Sequence, residues 1–180
     1  MDLTARWASA VGPWGGPPEV VAQVGADLLA RYAEPHRRYH TTAHLHAVLD
    51  LLFLDLAVDP GAVALAAWFH DAIYDPRAPR LVMTTVDHVI GPEDPDGAVL
   101  ADADLSILGA PPEVYGAYTA ATRDEYGWLT AEEWRLGRSA VLQGFLNRPR
   151  LYATDRGRAR WELAARRNLG AELAALLAQA

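Results

Sequence analysis

Apolar residues recur every three or four positions through most of this chain, and the polar residues between them mark where helices start and stop. Leu45, Val48, Leu49, Leu52 and Leu56 keep helical spacing behind Thr41 and Thr42, either of which can cap a helix start. A helix is therefore predicted from about Thr42 to Leu56. A second is predicted from about Pro60 to Tyr74, with Asp59 as capping residue, Pro60 at the first helical position and Asp75-Pro76 as the stop. At roughly 1.5 Å per residue the two arms climb and return by about 15–18 Å, so an antiparallel hairpin brings His70 and Asp71 back to the level of His44.

The same periodicity continues on both sides. Pro17-Pro18 opens an amphipathic stretch with Val20, Val21, Val24, Leu28 and Leu29 on one side, ending before Pro35. The run from Ala98 to Leu108 reads as helical, with Gly109 as the residue just past its end. Thr130-Ala131-Glu132-Glu133 is a capping-box start for a helix to about Asn147, stopped by Pro149. Thr154 or Asp155 begins a last helix carrying Trp161, Leu163, Leu169, Leu173, Leu176 and Leu177. No stretch alternates with period two for long enough to argue a sheet, so the expected fold class is all-α, a compact helical bundle around the central hairpin. With 180 residues, 51% of them hydrophobic, and no linker-like shift in composition, one domain over 1–180 is expected, with its core at about 36–109 and helices at about 112–179 packing on it.

Three features of the composition narrow the chemistry. There is no Cys, which excludes disulfides and thiolate ligands. The apolar stretches are interrupted by His or Asp and no signal core follows the N-terminus, so the expectation is a soluble, cytoplasmic protein without membrane partners. The net charge is −7, a field that repels nucleic-acid polymers and leaves any phosphate to be met by local positive charge. All 16 basic residues are Arg, which in an Ala-rich chain reflects high-GC coding bias. Arg37, Arg38 and Arg123 are the candidates to grip a phosphate, because a guanidinium fork binds it through two hydrogen bonds. Glycine-rich phosphate loops, nucleophile elbows and repeats are absent from the sequence.

Two imidazoles and a carboxylate converging between helices make an incomplete metal site, because such nitrogen and oxygen donors suit divalent ions and call for further ligands. The next donor is expected in Ala98–Leu108, from Asp102 or Asp104. Asp104 has Leu100, Ala101, Ile107 and Leu108 at helical spacing, whereas Asp102 has Ala98, Val99, Leu105 and Ser106. Asp104 is therefore expected to be the more deeply apolar position, where a cation is the usual reason to tolerate a carboxylate.

The order His, then His-Asp, then a distant Asp on helices resembles the HD-domain superfamily of metal-dependent phosphohydrolases. More narrowly, Arg38-Tyr39-His40-Thr41-Thr42-Ala43-His44, Ala67-Trp68-Phe69-His70-Asp71-Ala72-Ile73-Tyr74-Asp75 and Leu100-Ala101-Asp102-Ala103-Asp104-Leu105-Ser106-Ile107-Leu108-Gly109 look like a bacterial family of predicted HD phosphohydrolases. Arg123-Asp124-Glu125-Tyr126, Gly137-Arg138 and Asn168-Leu169 extend the similarity over about 31–173. The Tyr39-His40…His44 element is also similar to a stretch of the cyclic-nucleotide phosphodiesterases, in which the first His donates a proton and the second binds metal. The resemblance implies metal ligands at His44, His70, Asp71 and Asp104, with His40 as a catalytic acid. The sequence departs from the family pattern after the His-Asp helix. An acidic Glu-Asn-Glu-type segment on another helix stands there in the family, whereas here Asp75-Pro76-Arg77-Ala78-Pro79-Arg80 runs almost directly into Leu81. Either the natural chain lacks that helix, which would leave the site unusually open, or the sequence omits a mobile segment, for which a lid beside the active site would be the expected role.

Each candidate also has a plainer reading. His40 can serve as a helix-start residue bonded to backbone; His36 and His46 read as surface or outer positions. His88 either touches the substrate or a second metal, or is a polar residue at a helix end. Asp75 reads as a helix stop, or as an outer partner of a ligating His. Arg123 and Tyr126, three residues apart, share a pocket wall or simply pack, and Arg156–Arg167 reads as a solvated helix face. The expected function is a divalent-metal-dependent phosphohydrolase acting on a small phosphorylated compound, nucleotides included. Asp71 would orient the attacking hydroxide, His40 would act as acid, and Arg37, Arg38, His88, Arg123 and Tyr126 would form the substrate side. The cofactor is one divalent ion among Mn, Fe, Ni, Co, Zn and Mg, or two if Asp71 bridges. The alternatives are a non-catalytic metal- or nucleotide-binding regulatory module of the same fold, and a hydrolase of a non-phosphate bond.

Overall fold

The structure, a computed structural model, describes residues 2–72, 85, 88, 90, 91 and 93–179. The described residues hold eight α-helices and no strand, the all-α class expected from the periodicity. The chain divides into two compact units, 1–104 and 105–180.

The first unit contains α1 (Leu3–Val11), α2 (Pro18–Tyr32), α3 (Thr42–Leu51), α4 (Pro60–Phe69) and α5 (Pro95–Asp104), with short 3-10 turns at Gly12–Trp14 and Leu54–Leu56. Its core gathers Leu3 and Trp7 from α1, Leu28 and Tyr32 from α2, Leu45 from α3, and Trp68 and Ala72 from the end of α4 and beyond. The Trp7 and Trp68 rings meet edge to face at 5.3 Å, and Trp7 Nε1 donates to Val21 O at 2.6 Å. Gly25 makes the α1–α2 packing possible, because a Cβ there would lie 2.4 Å from Trp7 Cδ1. α1 lies outside the elements read from the sequence; only Leu3 and Trp7 of its residues are buried, too few to register as a period.

The hairpin begins as expected. Thr41 caps α3, its side chain accepting from Ala43 N, and Asp59 caps α4 through Ala62 N at 2.9 Å, with Pro60 at the first position. It ends differently. α3 stops at Leu51 instead of Leu56, since Leu52 is extended (φ −61°, ψ 122°) and the chain turns through Leu54–Leu56. The loop amides are claimed instead by Asp96 near the start of α5, which accepts from Val58 N at 2.7 Å and Asp59 N at 3.2 Å. α5 starts at Pro95, earlier than the sequence reading, and packs against both α3 and α4. Its far end delivers Asp104. α4 itself ends at Phe69; the Tyr74 end and the Asp75-Pro76 stop lie outside the described residues.

The second unit contains a 3-10 turn at Leu105–Gly109, then α6 (Pro112–Glu125), α7 (Ala131–Leu146) and α8 (Asp155–Leu177). The Thr130–Glu133 capping box is closed in both directions, and Thr154 caps α8 through Gly157 N at 2.9 Å. Gly109 is not the left-handed residue expected past a helix end. It belongs to the 3-10 turn, and its small size is required because a Cβ would stand 2.6 Å from Trp161 Cβ. Asn168 Nδ2 donates to Leu108 O at 2.8 Å and Ala110 O at 2.9 Å, tying α8 to that turn.

Candidate metal centre

His44 sits in the first turn of α3, His70 and Asp71 directly follow α4, and Asp104 is the last residue of α5. Packing these three helices together brings their donor atoms to one point. His44 Nε2 and His70 Nε2 are 3.1 Å apart. Asp104 Oδ1 lies 3.2 Å from His44 Nε2 and 3.8 Å from His70 Nε2. Asp71 Oδ2 lies 3.2 Å and 3.0 Å from the same two nitrogens. Neighbouring donors held about 2.0–2.2 Å from one cation stand about 2.8–3.6 Å apart in tetrahedral or octahedral shells. All of these separations but the longest fall in that range. His44, His70 and Asp104 form a group that could hold a metal ion.

The protonation pattern points the same way. The end of α4 leaves Ala67 O without a helical partner, and His70 Nδ1 takes it at 2.8 Å. Nδ1 is therefore the protonated nitrogen, and the lone pair of Nε2 faces the cluster. This is the usual way in which an outer hydrogen bond orients a ligating imidazole. Asp71 Oδ2 is buried and accepts no hydrogen bond among the described residues. Such an atom is costly to leave unpaired and fits a site built for a cation.

The electrostatics reflect two imidazoles and two carboxylates crowded together. Burial lowers His44, but its contacts with Asp104 and Asp71 outweigh burial and push it up to about 9. His70, also opposed by burial, is raised mainly by the Asp71 charge. Burial raises Asp71 and Asp104, yet both are held well below the usual carboxylate range, Asp71 by His70 and His44, and Asp104 by His44 and His88. The residues present fit a divalent cation, which would compete with protons for these donors.

Asp104 takes its place in the group, but not because it is the more buried acid. Asp102 is fully buried at 1% exposure, whereas Asp104 is only half-buried. The apolar-neighbour argument ranked them wrongly because Asp104 lies at a helix end, where the residues after it leave the helical spiral.

Among the other candidates, His88 Nε2 lies 2.8 Å from Asp104 Oδ2, on the oxygen turned away from the imidazoles. His88 also has a left-handed backbone, φ 53°, uncommon for a residue other than glycine and found at functional positions. His40 is half-buried, its ring 5.7 Å from that of His44, and Tyr39 touches both rings at 5.0 and 4.8 Å. Arg37, only 7% exposed, is engaged inside the protein: Nε donates to Glu34 at 3.1 Å, Nη1 to His40 O at 3.3 Å, and the guanidinium lies over the Tyr32 ring. Arg38 is exposed and bonded to Pro35 O and Arg37 O. Arg123 and Tyr126 belong to the second unit, where Arg123 donates to Tyr126 O at 2.9 Å and Leu129 O at 3.1 Å and lies over Trp134. His36 lies on the surface 3.7 Å from Glu34, and His46 accepts from Arg6 at 3.2 Å. Asp75 lies outside the described residues.

Tyr32 is not among the residues singled out from the sequence. Fully buried at the end of α2, it places its hydroxyl 3.3 Å from Trp68 O, 3.4 Å from Asp71 N and 3.5 Å from His70 Nδ1. Its one signal in the sequence is a hydroxyl at a position of the α2 stripe where a hydrocarbon would suffice.

No helix among the described residues is long and apolar enough to cross a membrane. Comparison with protein-family models, with curated proteins and with solved structures finds no match to this chain.

Proposed function

We propose that this chain is a divalent-metal-dependent phosphohydrolase of the HD type, acting on a small phosphorylated compound such as a nucleotide. The observation that carries the reading is the convergence of His44 Nε2, His70 Nε2, Asp71 Oδ2 and Asp104 Oδ1, with the His70 lone pair turned inward by Ala67 O. These four residues would hold the ion. A bound divalent cation supplies Lewis acidity toward a phosphoryl oxygen and lowers the pKa of a water towards neutrality.

The chain's own residues supply the rest. Asp71, with one oxygen among the imidazoles, orients the attacking water. His40, half-buried just before the Thr41 cap of α3, donates a proton to the leaving oxygen. His88 holds Asp104 by its outer oxygen, which keeps the inner one on the cluster. Arg37 supports this arrangement from behind by fixing the His40 carbonyl, so the phosphate side falls to groups other than its guanidinium. The negative field favours small substrates over polymers, which need many phosphate contacts.

The test is a screen of phosphomonoesters, phosphodiesters and nucleotides with the fully metallated protein. At least one substrate should turn over; chelation should abolish the activity, and Mn²⁺, Fe²⁺, Ni²⁺, Co²⁺ or Zn²⁺ should restore it to differing degrees. Metallated protein that turns over none of them contradicts the reading and favours a regulatory module of the same fold.

A further inference from the structure

His70 and Asp71 are consecutive, and consecutive side chains on a continuous α-helix diverge by about 100° and do not face each other. Yet His70 Nε2 and Asp71 Oδ2 lie 3.0 Å apart. α4 ends at Phe69 with His70 still in helical dihedrals (φ −56°, ψ −41°), and the turn that follows tightens, Ala72 N bonding back to Phe69 O at 3.1 Å. A helix end inside a protein leaves backbone groups that need partners. Ala67 O is met by His70 Nδ1. Trp68 O and Asp71 N are both met by one atom, the Tyr32 hydroxyl, which donates to the carbonyl at 3.3 Å and accepts from the amide at 3.4 Å. A hydroxyl can fill both roles because it carries one donor and two lone pairs. The Tyr32 ring in turn lies under the Arg37 guanidinium, which donates to His40 O.

We propose that Tyr32 is a positioning residue of the metal centre. Its hydroxyl holds the tightened turn after α4 in the geometry that lets two adjacent residues present donors to one cation. This rests on reading the cluster as a metal centre.

Tyr32→Phe keeps the ring and removes the hydroxyl. Titration of the full chain with Co²⁺, followed by d–d absorption, should give an affinity about 10–100-fold below the parent's, the range for losing an outer partner of metal ligands, with a changed band shape. Leu28→Ala is the control: it opens the same core one turn earlier in α2 but carries no group that pairs with the turn. It should lower the unfolding temperature while leaving Co²⁺ affinity and spectrum as in the parent. Equal affinity in Tyr32→Phe and parent overturns the proposal, as do parallel losses in both variants, which would mark a purely structural role. If Tyr32→Phe does not fold, hydrogen exchange of the Asp71 amide in the parent decides. Protection supports the proposal, and exchange at the solvent rate overturns it. A parent chain that binds no Co²⁺ removes the metal-centre reading itself, a failure distinct from an affinity that the hydroxyl does not change.

Discussion

His44 Nε2 and His70 Nε2 lie 3.1 Å apart across 26 residues of sequence, with the His70 lone pair committed to the cluster by the Nδ1 bond to Ala67 O. Two imidazole nitrogens at that distance, flanked by two carboxylates, turn their donor atoms toward one place. Protons and a divalent ion would compete for it.

That competition has a sign. His44, raised from 6.5 to about 9, contributes stability to the metal-free fold that is complete below about pH 6.5 and lost as pH rises through 9. Asp71 and Asp104, lowered from 3.8, contribute stability that is present above about pH 4 and lost as pH falls below it. The unfolding temperature of metal-free protein should therefore be highest between about pH 4 and 6.5 and decline towards pH 9. The gain on adding metal should grow across that same alkaline interval. Thermal melts with and without chelator check both, and a gain that shrinks with rising pH contradicts competition between protons and metal at these residues.

Asp104 and Asp102 separate cleanly by substitution. Asp104→Asn should weaken metal retention far more than Asp102→Asn, because only the former takes the negative charge from the carboxylate 3.2 Å from His44 Nε2. His88→Ala frees Asp104 Oδ2 and should cost about 10–100-fold in metal affinity. Metal titrations of the three variants decide, and the reverse ranking of the two acids would move the ligand to Asp102.

What the sequence made legible was local. Thr41, Asp59, Thr130 and Thr154 cap helices through amides two or three residues away, a relation written in adjacent letters. The end of α3 was not legible, since Leu52 and Leu56 keep the helical period while the loop amides are taken by Asp96, almost 40 residues later in the chain. The two acids of α5 were ranked by neighbours on an ideal helix, and the helix stops at one of them. Arg37 read as a phosphate grip because its pairing with Glu34, Tyr32 and His40 O depends on how the segment after α2 folds back. Tyr32 escaped notice for the same reason: its partners belong to the end of another helix.

His40 should act on turnover and not on metal. His40→Ala is expected to retain the ion and lose about 10²–10⁴-fold in rate, the range for one general acid. The loss should shrink for substrates with good leaving groups, which need little protonation. Elemental analysis beside steady-state kinetics checks it, and loss of metal from the variant would make His40 a ligand.

In the second unit, Arg138 grips Glu172 with two hydrogen bonds at 2.7 and 3.0 Å, Tyr115 also donates to that carboxylate, and the two charged side chains are 8% and 13% exposed. Arg138→Met leaves the carboxylate buried without its cation and should destabilise the protein by about 3–5 kcal/mol. Denaturant unfolding of the full chain measures it. A loss within the about 0–1 kcal/mol of an exposed pair contradicts the assignment.

Elemental analysis of the chain purified without added metal, beside His70→Ala, shows whether His44, His70, Asp71 and Asp104 hold one divalent ion. Near-stoichiometric metal is expected in the parent and a strong loss in the variant, whose substitution removes a donor and the Ala67 O partner at once. Equal metal content in the two proteins would contradict it.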